Sequence, residues 1–109
     1  MKIDFNEIKE QHLEHFKGGE GAMDAHMYVD ETGRILKGTL QPGCTIGLHK
    51  HEGSSETVYI VSGNGTMLYD GAEEALKAGD VSYCPEGHEH SLINSGTEPL
   101  VFIGVVPNL

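Results

Sequence analysis

Along most of the chain, β-branched and aromatic residues alternate with polar ones in short runs that end in glycine, proline, asparagine or aspartate. Short alternating runs closed by turn formers predict strands rather than helices. The expected strands cover residues 25–29, 34–40, 45–51, 57–62, 65–69, 73–77, 81–84, 90–94 and 100–106. Turns are expected at DETG (30–33), QPG (41–43), SGNG (62–65), Asp70-Gly71, PEG (85–87) and NSGTEP (94–99). The first residues differ. Phe5, Ile8, His12 or Leu13, and Phe16 recur at helical spacing before Lys17-Gly18-Gly19, which predicts a short amphipathic helix or helical turn. The reading divides the chain into an N-terminal helical segment, 1–20, and an all-β barrel domain, 21–109. Many short strands in one small domain leave a sandwich, a jelly roll or a closed barrel as ways to protect strand edges.

Composition narrows the classes of function. Seven Lys and Arg against seventeen Asp and Glu give a net charge of −10, which excludes a nucleic-acid reader that relies on a basic face. No apolar run is long enough to cross a bilayer as a helix, and MKIDFNEIKE lacks the apolar core of a signal peptide, so a soluble cytoplasmic protein is expected. Cys44 and Cys84 match neither a CxxC redox pair nor a zinc knuckle and are expected as reduced thiols that pack as small apolar groups.

His49 and His51 lie one residue apart in a predicted strand, so both rings face the same side with α-carbons about 6.6 Å apart. Glu56 follows a turn-like EGSS and can swing back to the same point, and His90 opens another predicted strand. Three imidazoles and one carboxylate suit a borderline divalent transition metal, Fe, Mn, Ni, Zn or Cu, with positions left for water or substrate. Calcium and magnesium prefer more oxygen donors.

The glycines around these residues add a second signal. From Gly43 the chain reads G-CTIGL-H-K-H-EGSS-E-TVYIVS-G, and from Gly79 it reads G-DVSYC-P-E-G-HE-H-SLI-N. These stretches, 43–63 and 79–94, cover about a third of the chain and resemble the two signature motifs of the cupin superfamily, with no ligand position replaced. The resemblance implies a small single-domain bacterial cupin: a double-stranded β-helix, equivalent to a jelly-roll barrel, with one metal held by His49, His51, Glu56 and His90. In that picture Gly43, Gly63, Gly79 and Gly87 occupy turns, Pro85 stiffens the entry to the His90 strand, and Asn94 ties a turn. The families resembled include dioxygenases, decarboxylases, isomerases and lyases. The expected function is therefore a metal-dependent enzyme acting on a small polar substrate, carboxylate, enediol or sugar-like, with non-catalytic ligand binding or sensing as the alternative.

Further residues are candidates around this centre. Glu56 and His88 are candidate proton carriers, His88 because imidazole titrates near neutrality. His26, Tyr28, Met67 and Tyr83 are candidate lining residues of the barrel interior, and Arg34, the only arginine, is a candidate anion clamp. Apolar residues fall on both parities of the strands that carry the ligands, so a second face needs cover from the N-terminal helix, from 100–106 or from another subunit. A homodimer is expected.

Overall fold

The computed structural model describes residues 1–109. Ten strands form: β1 (Gln11–Glu14), β2 (Ala22–Asp30), β3 (Gly33–Leu40), β4 (His49–Lys50), β5 (Glu56–Ser62), β6 (Asn64–Tyr69), β7 (Ala72–Lys77), β8 (Val81–Cys84), β9 (Glu89–Ile93) and β10 (Leu100–Pro107). They build two facing antiparallel sheets, a six-stranded one in the order β1-β2-β3-β10-β5-β8 and a four-stranded one in the order β4-β9-β6-β7. This is the all-β architecture expected from the turn spacing, and among the forms left open there it is the double-stranded β-helix that the resemblance implied. The Asp70-Gly71 signal forms a two-residue hairpin between β6 and β7, with both residues at positive φ (47° and 82°). Gly43, Gly63, Gly79 and Gly87 also have positive φ, the conformation a side chain resists.

Alternation fixes the inner face. In the six-stranded sheet, Met23, Ala25, Leu36, Leu40, Val58, Ile60, Leu100 and Phe102 point inward and are buried. They meet Met67 and Leu92 from the four-stranded sheet in one apolar cluster. At about 25 cal/mol for each Å² of apolar surface removed from water, this cluster is the main source of the fold's stability.

The N-terminal helix does not form. Only single turns of 3-10 helix are present, at Phe5–Glu7 and Phe16–Gly18, and between them β1 adds to the edge of β2, pairing Gln11 with Ala25 and Glu14 with Ala22. Isolated helices this short are marginal in water, whereas an open sheet edge offers a ready row of hydrogen-bond partners. His15 and Lys17 take left-handed conformations, which closes off helix propagation, while Leu13 and Phe16 still pack against the core.

The predicted strand at 45–51 is mostly irregular. Thr45 makes a single bridge to Ile93, and only His49–Lys50 pairs regularly. The backbone N–H of Gly47 donates instead to the Phe16 carbonyl, so the segment is anchored to the N-terminal arm. The stretch 100–106 is not a cover but lies within the sheet between β3 and β5. No helix is long and apolar enough to cross a membrane.

Candidate metal centre

The site occupies one end of the barrel interior. Glu56 opens β5 opposite Cys84 of β8, His49 and His90 are directly paired across β4 and β9, and His51 follows β4 with its N–H donating to the His88 carbonyl. Two facing sheets thus aim four side chains at one point. The Nε2 atoms of His51 and His90 lie 3.0 Å apart, and Glu56 Oε1 is 2.9 Å from His90 Nε2, 3.2 Å from His51 Nε2 and 3.9 Å from His49 Nε2. One donor atom from each of the four residues falls within 4.8 Å of all the others. A coordination shell with bonds of about 2.1 Å has edges of about 3.0 to 3.4 Å, so the spacing suits a shared transition-metal ion.

The far sides of two of the rings strengthen the fit. His49 Nδ1 is 2.7 Å from the Gly47 carbonyl. A carbonyl only accepts, so this nitrogen carries the proton and Nε2 keeps the lone pair a metal needs. His51 Nδ1 is similarly placed 3.0 Å from the Ser54 hydroxyl. His90 Nδ1 is buried without a partner, which leaves its ring held by packing and by what it meets at Nε2. Burial is the largest influence on Glu56 and opposes ionisation, but the polar contacts with His49, His51 and His90 together outweigh it and hold the carboxyl well below the usual range. The group is an anion at neutral pH, suited to ligation and unsuited to act as an acid. This donor set could hold one metal ion.

Two inner-face neighbours lie against Glu56. Gly104 lies beneath the Glu56 carboxylate: a Cβ there would sit 3.0 Å from Glu56 Oε2 and 3.4 Å from Leu36 Cγ. Cys84, fully buried beside Glu56, has its thiol pushed up to about 11, first by burial and then by the Glu56 and Asp70 charges, so it is an inert neutral group. Both cysteines are free.

The remaining candidates separate by location. His88 stands just before β9, partly exposed, with Nδ1 hydrogen-bonded to the Asp70 carboxylate and its ring stacked on Tyr69, which is in register with His90. Met67 does face the interior, but it is fully buried in the apolar cluster away from the row of ligands. His26 and Tyr28 are corrections. The inward residues of β2 are Met23 and Ala25, so these two point outward, His26 Nδ1 to the Ile8 carbonyl at 2.6 Å and the Tyr28 hydroxyl to Asp30 at 3.1 Å. Tyr83 is also outward, 57% exposed, because β8 turns the small Ser82 and Cys84 inward. Asn94 ties its turn through Nδ2 to the Leu40 and Glu98 carbonyls and through Oδ1 to the Gly96 N–H.

The sequence reading missed Ser54, Tyr69, Asp70, Gly104 and the Gly47 carbonyl. Ser54 carried a signal, as one of the two hydroxyls in the EGSS turn between His51 and Glu56, and Asp70 was read only as a turn former. The others depend on register, which one sequence does not reveal.

Comparison with known proteins agrees with this geometry. The cupin domain family model matches residues 38–106. The oxalate-binding protein of Thermotoga maritima is 35% identical over 97% of this chain and 93% of its own length. A crystal structure of a predicted oxalate decarboxylase from Thermotoga maritima superposes with a TM-score of 0.93 over the whole of both chains at 31% identity. Oxalate decarboxylase OxdC of Bacillus subtilis is 38% identical over 62% of this chain, though that stretch is 19% of the larger protein. With both motifs intact, the ligand row assembled and the family model spanning most of the barrel, the chain belongs to the cupin family.

Proposed function

We propose that this cupin is a metal-dependent enzyme acting on a small carboxylate, with His49, His51, Glu56 and His90 holding one divalent transition metal. The observation that carries this reading is the convergence of three imidazoles and an ionised carboxylate on one point, with two rings fixed from behind by Gly47 and Ser54. Bound there, the metal would supply Lewis-acid polarisation, or redox chemistry if it is iron, manganese or copper. The protein supplies the rest: it orients the rings, keeps Glu56 ionised and sets Gly104 and Cys84 against it. The names of the relatives point to oxalate as the first substrate to try. His88, backed by Asp70 and Tyr69 beside the His90 strand, is the proposed proton carrier. Loading the protein separately with Fe, Mn, Ni, Zn and Cu and following oxalate and other small carboxylates, with and without oxygen, tests the proposal. Consumption by the metal-loaded protein supports it, and a His88→Gln variant should then turn over more slowly at unchanged metal content.

The engagement of His88 with Asp70 and its exposure at the rim favour a second reading, a cupin that binds the carboxylate without turnover. Saturable binding with no consumption under any metal would establish that reading.

We further propose that a second copy covers the outer face of the six-stranded sheet. Tyr59, Val81, Tyr83 and Val105 form adjoining cross-strand rows there and are between 39% and 59% exposed. Light scattering should give twice the 11.8 kDa chain mass, and the monomer mass would overturn the dimer. The free thiols suit a reducing compartment, and we place the protein in the cytoplasm.

A further inference from the structure

The chain's only arginine is not used by the metal centre. Arg34 lies on β3 with the inward parity of Leu36 and Leu40, paired with Val106 of β10 and Val29 of β2 at the rim of the barrel. Its Nε is shielded from solvent and has no hydrogen-bond partner, and Arg34 takes part in none of the chain's ion pairs. In a chain with seventeen acidic residues, an unpaired and partly buried guanidinium is an unusual arrangement. It borders a cavity of about 280 Å³ that Asp30, Glu52, Ser54 and Asn108 also line.

Both carboxylates in that lining are engaged elsewhere. Asp30 accepts from the Thr32 N–H and hydroxyl and from the Tyr28 hydroxyl, and these bonds hold it below its ordinary range. Glu52 points into solvent near Lys50. Of the charged groups in the lining, the Arg34 guanidinium is the one with no hydrogen-bond or ion-pair partner, and a hydroxyl and an amide lie beside it.

We propose that this rim cavity is a second ligand site, holding none of the four metal-ligand side chains and meeting the metal centre through Ser54, that takes a small monocarboxylate through the Arg34 guanidinium. The fork of Arg matches the two oxygens of a carboxylate. The neighbouring Asp30 and Glu52 disfavour a phosphate, whose second charge they repel. The cavity is at the lower limit of ligand pockets, so the occupant is a small acid, and a hydroxyl on it would find Ser54 or Asn108 as partner.

A lone arginine gives a single Nε–H correlation in a nitrogen-15 spectrum, which makes the test direct. Sodium glycolate is titrated into the protein against sodium chloride at matched ionic strength, before and after chelator treatment. The site predicts a saturable shift of the Arg34 Nε–H with glycolate, absent with chloride, that survives chelation. Arg34→Lys, which keeps the charge and loses the fork, and Arg34→Gln should each weaken glycolate binding about tenfold or more, followed by backbone shifts around Asn108. A shift that chloride reproduces, a shift that disappears on chelation, or tighter binding of inorganic phosphate than of glycolate would each overturn the proposal.

Discussion

The two ends of the barrel interior are built from the same strands and have opposite contents. At one end Met23, Leu40, Ile60, Leu100, Phe102 and Met67 are sealed from solvent and contain no group that needs a partner. At the other, Glu56, His51 and His90 are almost as deeply placed, His49 is partly buried, and every one is polar. Burying polar groups is costly unless each is satisfied, so the second end is a drain on stability that the first end offsets. Stability and chemistry are thus divided by position along the same strands: β5 contributes Ile60 and Val58 to one and Glu56 to the other.

That division is tested most strongly at the apolar end. Phe102→Ala removes a fully buried ring and should cost about 3–5 kcal/mol of stability in urea denaturation, while the folded fraction binds metal as before. Gly104→Ala strikes the boundary. Its Cβ would crowd Glu56 Oε2 and Leu36, so we expect a loss of about 1–3 kcal/mol, read as weaker metal binding more than as lower stability of the metal-free chain. Ser54→Ala reaches the polar end alone. Freeing His51 Nδ1 should weaken metal binding about 10–100-fold with thermal stability of the metal-free chain nearly unchanged.

The smallest effect lies outside both ends, where β1 pads the apolar side. The hydrogen bond that His12 Nδ1–H donates to the Asp24 carboxylate, aided by the Asp24 charge, raises the His12 pKa. The protonated pair supports β1 fully below the unfolded value of about 6.5, and that support is lost as pH rises through the raised folded value. Amide exchange should show Leu13 losing protection on going from pH 6 to pH 9, after correction for intrinsic rates, while Ile60 stays protected.

The chemical end was more legible in the sequence than the walls around it. His49, His51, Glu56 and His90 stand at spacings that alternation and a turn can bring together, and Asp70-Gly71 and the motif glycines announce their turns. Parity was harder. In β2, Met23 and Ala25 alternate with His26 and Tyr28, and both sets are plausible core; only pairing with Leu36 and Leu40 of β3 decides which faces inward. In β8 the larger residues, Val81 and Tyr83, face out, and the small Ser82 and Cys84 face in opposite Val58 and Glu56. The N-terminal segment had helical spacing, yet the free edge of β2 outcompeted a helix too short to stand alone. Tertiary partners, absent from any local pattern, made each of these choices.

The most direct test of the account is metal content per chain in protein purified without an affinity tag or chelator, measured beside a His51→Ala, His90→Ala double variant shown to be folded by circular dichroism. The account predicts about one transition-metal ion per wild-type chain and less than about a tenth of that in the variant. Equal metal content in both, or a wild-type chain that takes up no metal even when it is supplied, would contradict it.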